Sequence, residues 1–405
     1  MDEHALFSVA LGLVKPWKVV DLKFSKGEGR LDLWIDFEKG AKFPCPDCSQ
    51  GEVQPVHDTR DRTWRHLNFF QYETYLHARV PRVRCGECGV KQVSVPWSRP
   101  GSGFTLLFEL LVLSLCREMS VKAVAELTGA ESNRIWRVLN HYVERARVGV
   151  DISGLSRLGM DEFSKRKGQV YMTSFSDLET SRVVFIADSR RKEVVEEFVE
   201  DLAAREVDSS QIKVICCDMW DPYLNGINRH LEQAKVVFDR FHVMKKINLA
   251  VETVRRREQS DNAFLKKTRY IWLKNPKNLT EAQRTKLASL KDLDLKTVRA
   301  YQLKLSLARF WTIKNPELAE RYLKRWFFWA THSRLAPIIT VAKTIKRHWQ
   351  GVIAFHKYPV TNGVVEGLNS KIKMAMKRAY GFKESHYLKT IVYLVAGKLN
   401  FNYPH

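Results

Sequence analysis

Three acidic residues have the strongest claim to chemistry in this chain: Asp161, Asp218 and Glu366. Asp161 lies in the apolar run 155–163, and Asp218 closes the apolar run Val214-Ile215-Cys216-Cys217. Glu366 sits in Asn362-Gly363-Val364-Val365-Glu366-Gly367-Leu368-Asn369, at the opening of an expected helix. A carboxylate at a buried strand is costly unless something charged meets it. A hard divalent cation held by oxygen ligands is the common remedy, and two such ions drive in-line attack on a phosphodiester. The chain carries 67 Lys and Arg against 45 Asp and Glu, a net charge of +22, so the natural phosphodiester is a nucleic acid. Each carboxylate also has a plain structural reading. Asp218 could cap the helix expected from Trp220, Asp221 rivals it, and Glu162 rivals Asp161 because adjacent strand residues face opposite ways.

Four cysteines form two pairs, Cys45-Pro46-Asp47-Cys48 and Cys85-Gly86-Glu87-Cys88. Two such knuckles on neighbouring hairpins close a tetrahedral site for one structural Zn²⁺. Cys116, Cys216 and Cys217 stand in apolar runs and read as small buried hydrophobes. His57, His66 and His77 fall between the pairs at no regular ligand spacing and read as strand residues.

The elements that must position these groups follow from periodicity. Residues 17–38 and 62–84 alternate with period two, which predicts hairpins. Residues 96–103 hold two prolines and two glycines and read as a linker. Helical periodicity follows, and Ala125, Gly129 and Ile135 have the separations of a helix-turn-helix. Its second helix would present Ser132, Asn133, Arg134 and Arg137 to DNA. Strands are expected at 155–163, 169–176, 182–188, 212–217 and 235–238, with helices near 191–206 and 220–231, in the order βββαβαβ. From 241 to about 345 the pattern is helical and rich in Lys, Arg and aromatics. Trp311, Trp326 and Trp329 there read first as packing residues, with stacking on an unpaired base as the alternative. The stretch 362–400 is helical, and Asn362, Glu366, Asn369, Lys373 and Lys377 share one face suited to a DNA strand.

With 405 residues the chain is expected to hold several domains. The boundaries are drawn at 1–98 (β segment and zinc ribbon), 104–150 (helix-turn-helix), 151–245 (catalytic core, first part), 246–345 (helical insertion) and 346–405 (core, second part). No span is long and apolar enough to cross a bilayer, and the acidic N-terminus lacks a signal-peptide pattern. A cytoplasmic, nucleoid-associated protein is expected, with no membrane partner.

A four-cysteine ribbon, a helix-turn-helix and a βββαβαβ run with these acids resemble bacterial insertion-sequence DDE transposases of the ISL-three group. The matching stretches are Gly159-Met160-Asp161-Glu162-Phe163, residues 217–223 (Cys217 to Tyr223), residues 238–243 (Phe238 to Val243) and residues 362–373 (Asn362 to Lys373). The resemblance implies a multidomain α+β protein with an RNase H-like α/β core interrupted by an all-α insertion. It implies Asp161, Asp218 and Glu366 as the catalytic triad, holding two Mg²⁺ (or Mn²⁺). Asp239 and His242 resemble a supporting D-x-x-H motif. The implied substrates are double-stranded terminal inverted repeats and target DNA, cut and joined by a homodimer or larger assembly. A non-catalytic DNA-binding regulator and a structure-specific nuclease on the same core are the alternatives.

Overall fold

The computed structural model describes residues 2–48, 53–166, 170–382 and 384–401. The chain forms two compact units, one up to Ala146 together with the chain end from Asn400, the other from Arg147 to Leu399.

In the first unit, helix α1 (Glu3–Ala10) precedes strands β1 (Trp17–Ser25) and β2 (Arg30–Phe37). Their turn closes at Gly29, whose φ of 62° is a left-handed conformation that suits glycine. Strands β3 (Lys42–Pro44), β4 (Val53–Arg65), β5 (Glu73–Cys85) and β6 (Gly89–Gln92) complete the sheet. The sheet runs β1-β2-β5-β4-β3, with β6 also on β5. The two expected hairpins are therefore fused, because β2 pairs parallel with β5 from Arg30↔Glu73 to Ile35↔Ala78. The alternation explains it: Leu31, Leu33, Ile35, Leu76, Ala78 and Val80 are all buried in one cluster.

Residues 96–103 are not a free linker. Trp97 is buried edge-on against Trp17 and Trp64, at 5.0 and 5.6 Å between ring centroids. The Trp97 carbonyl accepts the Leu106 N–H at 2.9 Å, so the ribbon continues directly into helices. These are α2 (Leu106–Glu118), α3 (Val121–Thr128) and α4 (Ser132–Val148). Gly129, at φ 67°, ends α3 in the left-handed C-cap that the helix-turn-helix reading required.

His66 is mostly buried behind β4, bonded through Nδ1 to the Thr105 hydroxyl at 2.9 Å. Burial, with help from the neighbouring Arg65 charge, pushes its pKa down to about 4. The unfolded chain therefore binds the extra proton between the ordinary value near 6.5 and 4. Stability of the first unit is predicted to be full above that window, to fall as pH drops through it, and to level off below. The loss amounts to about 3 kcal/mol. Urea midpoints measured across this range should show the slope, and His66→Gln should remove it.

In the second unit, β7 (Arg157–Arg166), β8 (Val170–Asp177) and β9 (Arg182–Ala187) form an antiparallel meander. Helix α5 (Glu193–Ala204) leads to β10 (Val214–Cys217), and α6 (Asp221–His230) leads to β11 (Lys235–Phe238). Both of these strands run parallel to their neighbours, giving the order β11-β10-β7-β8-β9. The expected βββαβαβ order is present, and the central strand is the one that carries Asp161.

Six helices follow: α7 (Arg240–Glu258), α8 (Arg269–Leu273), α9 (Glu281–Lys291), α10 (Lys296–Phe310), α11 (Pro316–Thr331) and α12 (Ala336–Arg347). They share one continuous apolar cluster with the sheet instead of forming a separate core. Trp311 and Trp326 are buried in it, and the Trp326 indole N–H donates to the Leu303 carbonyl at 2.9 Å. Both are packing residues, whereas Trp329 is 43% exposed beside Phe328 at 64%. The chain then returns through α13 (Trp349–Lys357), α14 (Gly363–Arg378) and α15 (Ser385–Ala396). Among the described residues no helix is long and apolar enough to cross a membrane.

Candidate functional site

Asp161 lies mid-strand on β7, opposite Ser174 of β8. Its Oδ2 accepts the Asn369 side-chain N–H of α14 at 2.8 Å. Ser174 Oγ donates to the Asp161 carbonyl at 3.2 Å and to Asn369 Oδ1 at 3.5 Å. Burial pushes the Asp161 carboxyl upward, the nearby Asp218 charge adds to the rise, and the Glu162 N–H and His242 oppose it. The choice between Asp161 and Glu162 is thus made by the pleat. Glu162 points the other way and pairs with Arg190 at 3.4 Å on a more exposed face.

Asp218 follows β10, whose Cys216 pairs with Gly159 of β7. Its Oδ1 accepts the adjacent Met219 N–H at 2.6 Å. Helix α6 starts at Asp221 with Trp220 at its N-cap and no side-chain capping bond, so Asp218 does not cap it.

Glu366 is carried by α14, which is fastened to β7 on either side of it. Before it, the buried Asn362 side-chain N–H donates to the Met160 carbonyl at 3.0 Å, while its backbone N–H reaches Asp239 Oδ1 at 3.4 Å. After it, Asn369 holds Asp161. Between them Val365 packs on Gly159 so closely that a Cβ there would lie 2.5 Å from its methyl carbon. Glu366 itself is exposed in the first turn. Among the described residues the three carboxylates are not drawn within 4.8 Å of one another, a condition that the four cysteines alone meet.

The D-x-x-H pair lies against the start of α14. Asp239 is buried and holds Asn362, and His242 Nδ1 stands 3.6 Å from Asp239 Oδ2. The His242 charge also acts on Asp161. The donor chemistry suits hard divalent cations: Asp161 and Asp218 are oxygen donors close enough for the Asp218 charge to add to the rise that burial causes at Asp161.

The thiols of Cys45, Cys48, Cys85 and Cys88 lie within 4.8 Å of one another. Cys85 ends β5 and Cys88 precedes β6, with Gly89 at φ 72° making the knuckle. The Cys88 and Glu87 N–H groups, with Cys48, hold the Cys85 thiol down to about 7. Backbone donors around a sulfur that favours its thiolate are the chemistry of a structural zinc site. Cys116, Cys216 and Cys217 are buried, as expected. His66 and His77 serve the fold, with His77 Nε2 2.5 Å from Asp32.

The DNA-facing candidates separate by burial. Ser132, Asn133 and Arg137 are exposed on α4. Arg134 instead turns inward, donating to the Gly103 carbonyl at 2.8 Å and stacking over Phe104 at 4.1 Å. These contacts fix α4 to the chain entering α2. On α14, Lys373 and Lys377 are exposed, whereas Asn369 is buried and bonded to Asp161. The shared helical face is real in sequence, yet its amides lie just inside the buried edge and its charges just outside. Periodicity missed Ser174, whose only signal was a polar residue inside an expected strand. Asn369→Ala should lower cleavage roughly 10–100-fold with fold intact, the usual scale for a residue that orients a ligand. Single-turnover nicking against circular dichroism checks it, and restored activity in Asn369→Asp would argue for simple packing.

Sheet, acids, ribbon and helix-turn-helix together define an enzyme that acts on DNA. Residues 158–392 match the ISL3 DDE family, described as a transposase. Residues 93–143 match the helix-turn-helix domain of transposase family ISL3, and residues 41–88 the zinc-finger of IS204/IS1001/IS1096/IS1165 transposases. The chain is 28% identical to the transposase for insertion sequence element IS1557 of Mycobacterium tuberculosis, over 97% of its own length and 96% of the relative's. It is 29% identical to the transposase for IS1001 of Bordetella parapertussis, over 85% and 86%. This chain belongs to the ISL3 family of DDE transposases. It is a DNA transposase with a zinc ribbon and a helix-turn-helix DNA-binding domain.

Proposed function

We propose that Asp161, Asp218 and Glu366 are the catalytic carboxylates, and that they act at the terminal inverted repeats of an insertion sequence. The observation that carries this reading is the double fastening of the Glu366 helix onto the Asp161 strand, through Asn362 to Met160 and Asn369 to Asp161. Residues more than two hundred positions apart are thereby held at one strand. The three acids would hold two Mg²⁺ or Mn²⁺, which when bound neutralise phosphate charge and activate an oxygen nucleophile. Asn369 keeps the Asp161 carboxylate aimed, and Asn362 with Asp239 sets the entry of α14. Asp239 and His242 support this site rather than reacting. Lys373 and Lys377, one and two turns further along α14, take backbone phosphates beside the cut.

Ser132, Asn133 and Arg137 read bases in the terminal repeat, and the zinc ribbon adds backbone contacts. Cutting two ends in one event calls for a homodimer or larger assembly on DNA, in the bacterial cytoplasm with the nucleoid. The test is nicking of a duplex carrying the element's own terminal repeat, with Mg²⁺ and with chelator. Metal-dependent cuts at the repeat boundary support the reading. Metal-independent binding without cleavage favours the regulator, and cuts in branched DNA lacking repeats favour the nuclease.

A further inference from the structure

Where the start of β8, the segment 188–193 and the start of α6 meet lies a cavity of about 590 Å³. Tyr171, Arg190, Arg191, Lys192, Trp220 and Asn225 contribute to its wall. Its size is that of a small-ligand site. Its wall residue Trp220 stands two residues after Asp218, and its wall residue Arg190 pairs with Glu162, which follows Asp161.

The wall is built around Arg190. Its guanidinium lies over the Tyr171 ring at 4.1 Å and the Trp220 ring at 5.4 Å, and pairs with Glu162 at 3.4 Å. The Trp220 indole N–H donates to the Arg190 carbonyl at 3.2 Å, which fixes the ring while leaving it 41% exposed. A large aromatic left this open at an α-helix N-cap is not there for the core. Arg191 and Lys192 are exposed at the rim. The acids nearby are accounted for: Asp188 is paired with Lys389 at 2.7 Å, and Glu193 sits in the first turn of α5.

We propose that this cavity takes one unpaired nucleotide of the DNA strand being processed. The base stacks on Trp220 and the Arg190 plane, and the adjoining phosphate meets Arg191 and Lys192. Aromatic and guanidinium faces accept any base without reading its edge, while exposed cations serve the backbone. Glu162 holds Arg190 in place before the nucleotide arrives. The buried Trp311 and Trp326 offer no comparable face. This inference rests on the reading of Asp161 and Asp218 as catalytic, since Trp220 lies two residues beyond Asp218 and Glu162, next to Asp161, holds Arg190.

The experiment uses the full-length, zinc-loaded protein in Ca²⁺ and fluorescence anisotropy with labelled single-stranded oligothymidylate. The same strand annealed to its complement serves as the duplex probe. Trp220→Ala should weaken single-strand binding roughly 10-fold, with duplex binding unchanged. Trp220→Phe should retain most of the single-strand affinity, and Arg190→Ala should lose it. Circular dichroism and zinc content confirm that each variant is folded. Equal single-strand affinity in wild type and Trp220→Ala overturns the proposal, as does an equal loss on duplex. A parallel Asp218→Asn nicking assay separates the two ideas. If that variant loses cleavage while Trp220→Ala binds single strands normally, only the nucleotide pocket is withdrawn.

Discussion

Asp218→Asn should reduce Mg²⁺-dependent nicking of terminal-repeat DNA by roughly 10³-fold or more, beyond the scale seen when one preorganised transition-state donor is removed. The substitution keeps size and shape but removes a charge that hard cations require. The change leaves the first unit, with Ser132, Asn133 and Arg137, untouched, so affinity for the terminal repeat should stay the same. Stability has a distinct expectation. Asp161 is raised by burial and then by the neighbouring Asp218 charge, so the two carboxylates repel when both are ionised. Neutralising one relieves that repulsion, and the midpoint of thermal unfolding without divalent cations should stay level or rise. Full-rate cleavage by the variant would remove Asp218 from the chemistry. A lowered midpoint would mean that Asp218 serves the fold.

Removal of zinc should have the largest effect on the first unit. Structural zinc in small modules binds with about 10–16 kcal/mol, as much as a whole domain's stability. The four thiols tie the loop after β3 to the turn between β5 and β6, at the far end of the sheet from Leu31, Leu33 and Ile35. Chelation or Cys85→Ser should therefore open β3, β6 and the facing ends of β4 and β5, while β1 and β2 keep their own apolar contacts. Hydrogen exchange should quicken at 53–60 and 82–92, and repeat binding should be lost. Cys116→Ala, in the core of α2, should leave zinc content at one per chain. A zinc-free protein with an unchanged exchange pattern would show that the thiols hold no metal.

The knuckles, the Gly129 turn and the βββαβαβ order were legible in the sequence because each is local. A C-x-x-C spacing, a residue that tolerates positive φ, and a period of two or 3.6 all act within a few residues. Arg134 and Asn369, read from the sequence as DNA contacts, both have partners within the fold that the sequence did not show, for a common reason. Helical phase tells which residues share a side, but not where the buried edge of that side falls. Gly103 and Phe104 capture one, and Asp161 captures the other. The linker at 96–103 was misread because proline and glycine signal a turn, whereas Trp97 decides whether the turn is packed.

By itself the sequence determined the chemistry available: thiolates in pairs, oxygen donors at strand ends, and an excess of positive charge for a polyanion. Tertiary structure decided which of two adjacent acids meets α14, since only the pairing of β7 with β8 and the docking of α14 distinguish Asp161 from Glu162. It also decided that Trp220, not the tryptophans of the insertion's core, keeps an open ring beside that strand. Long-range packing selects among side chains that short-range pattern leaves equivalent, because burial depends on neighbours that are distant in the chain.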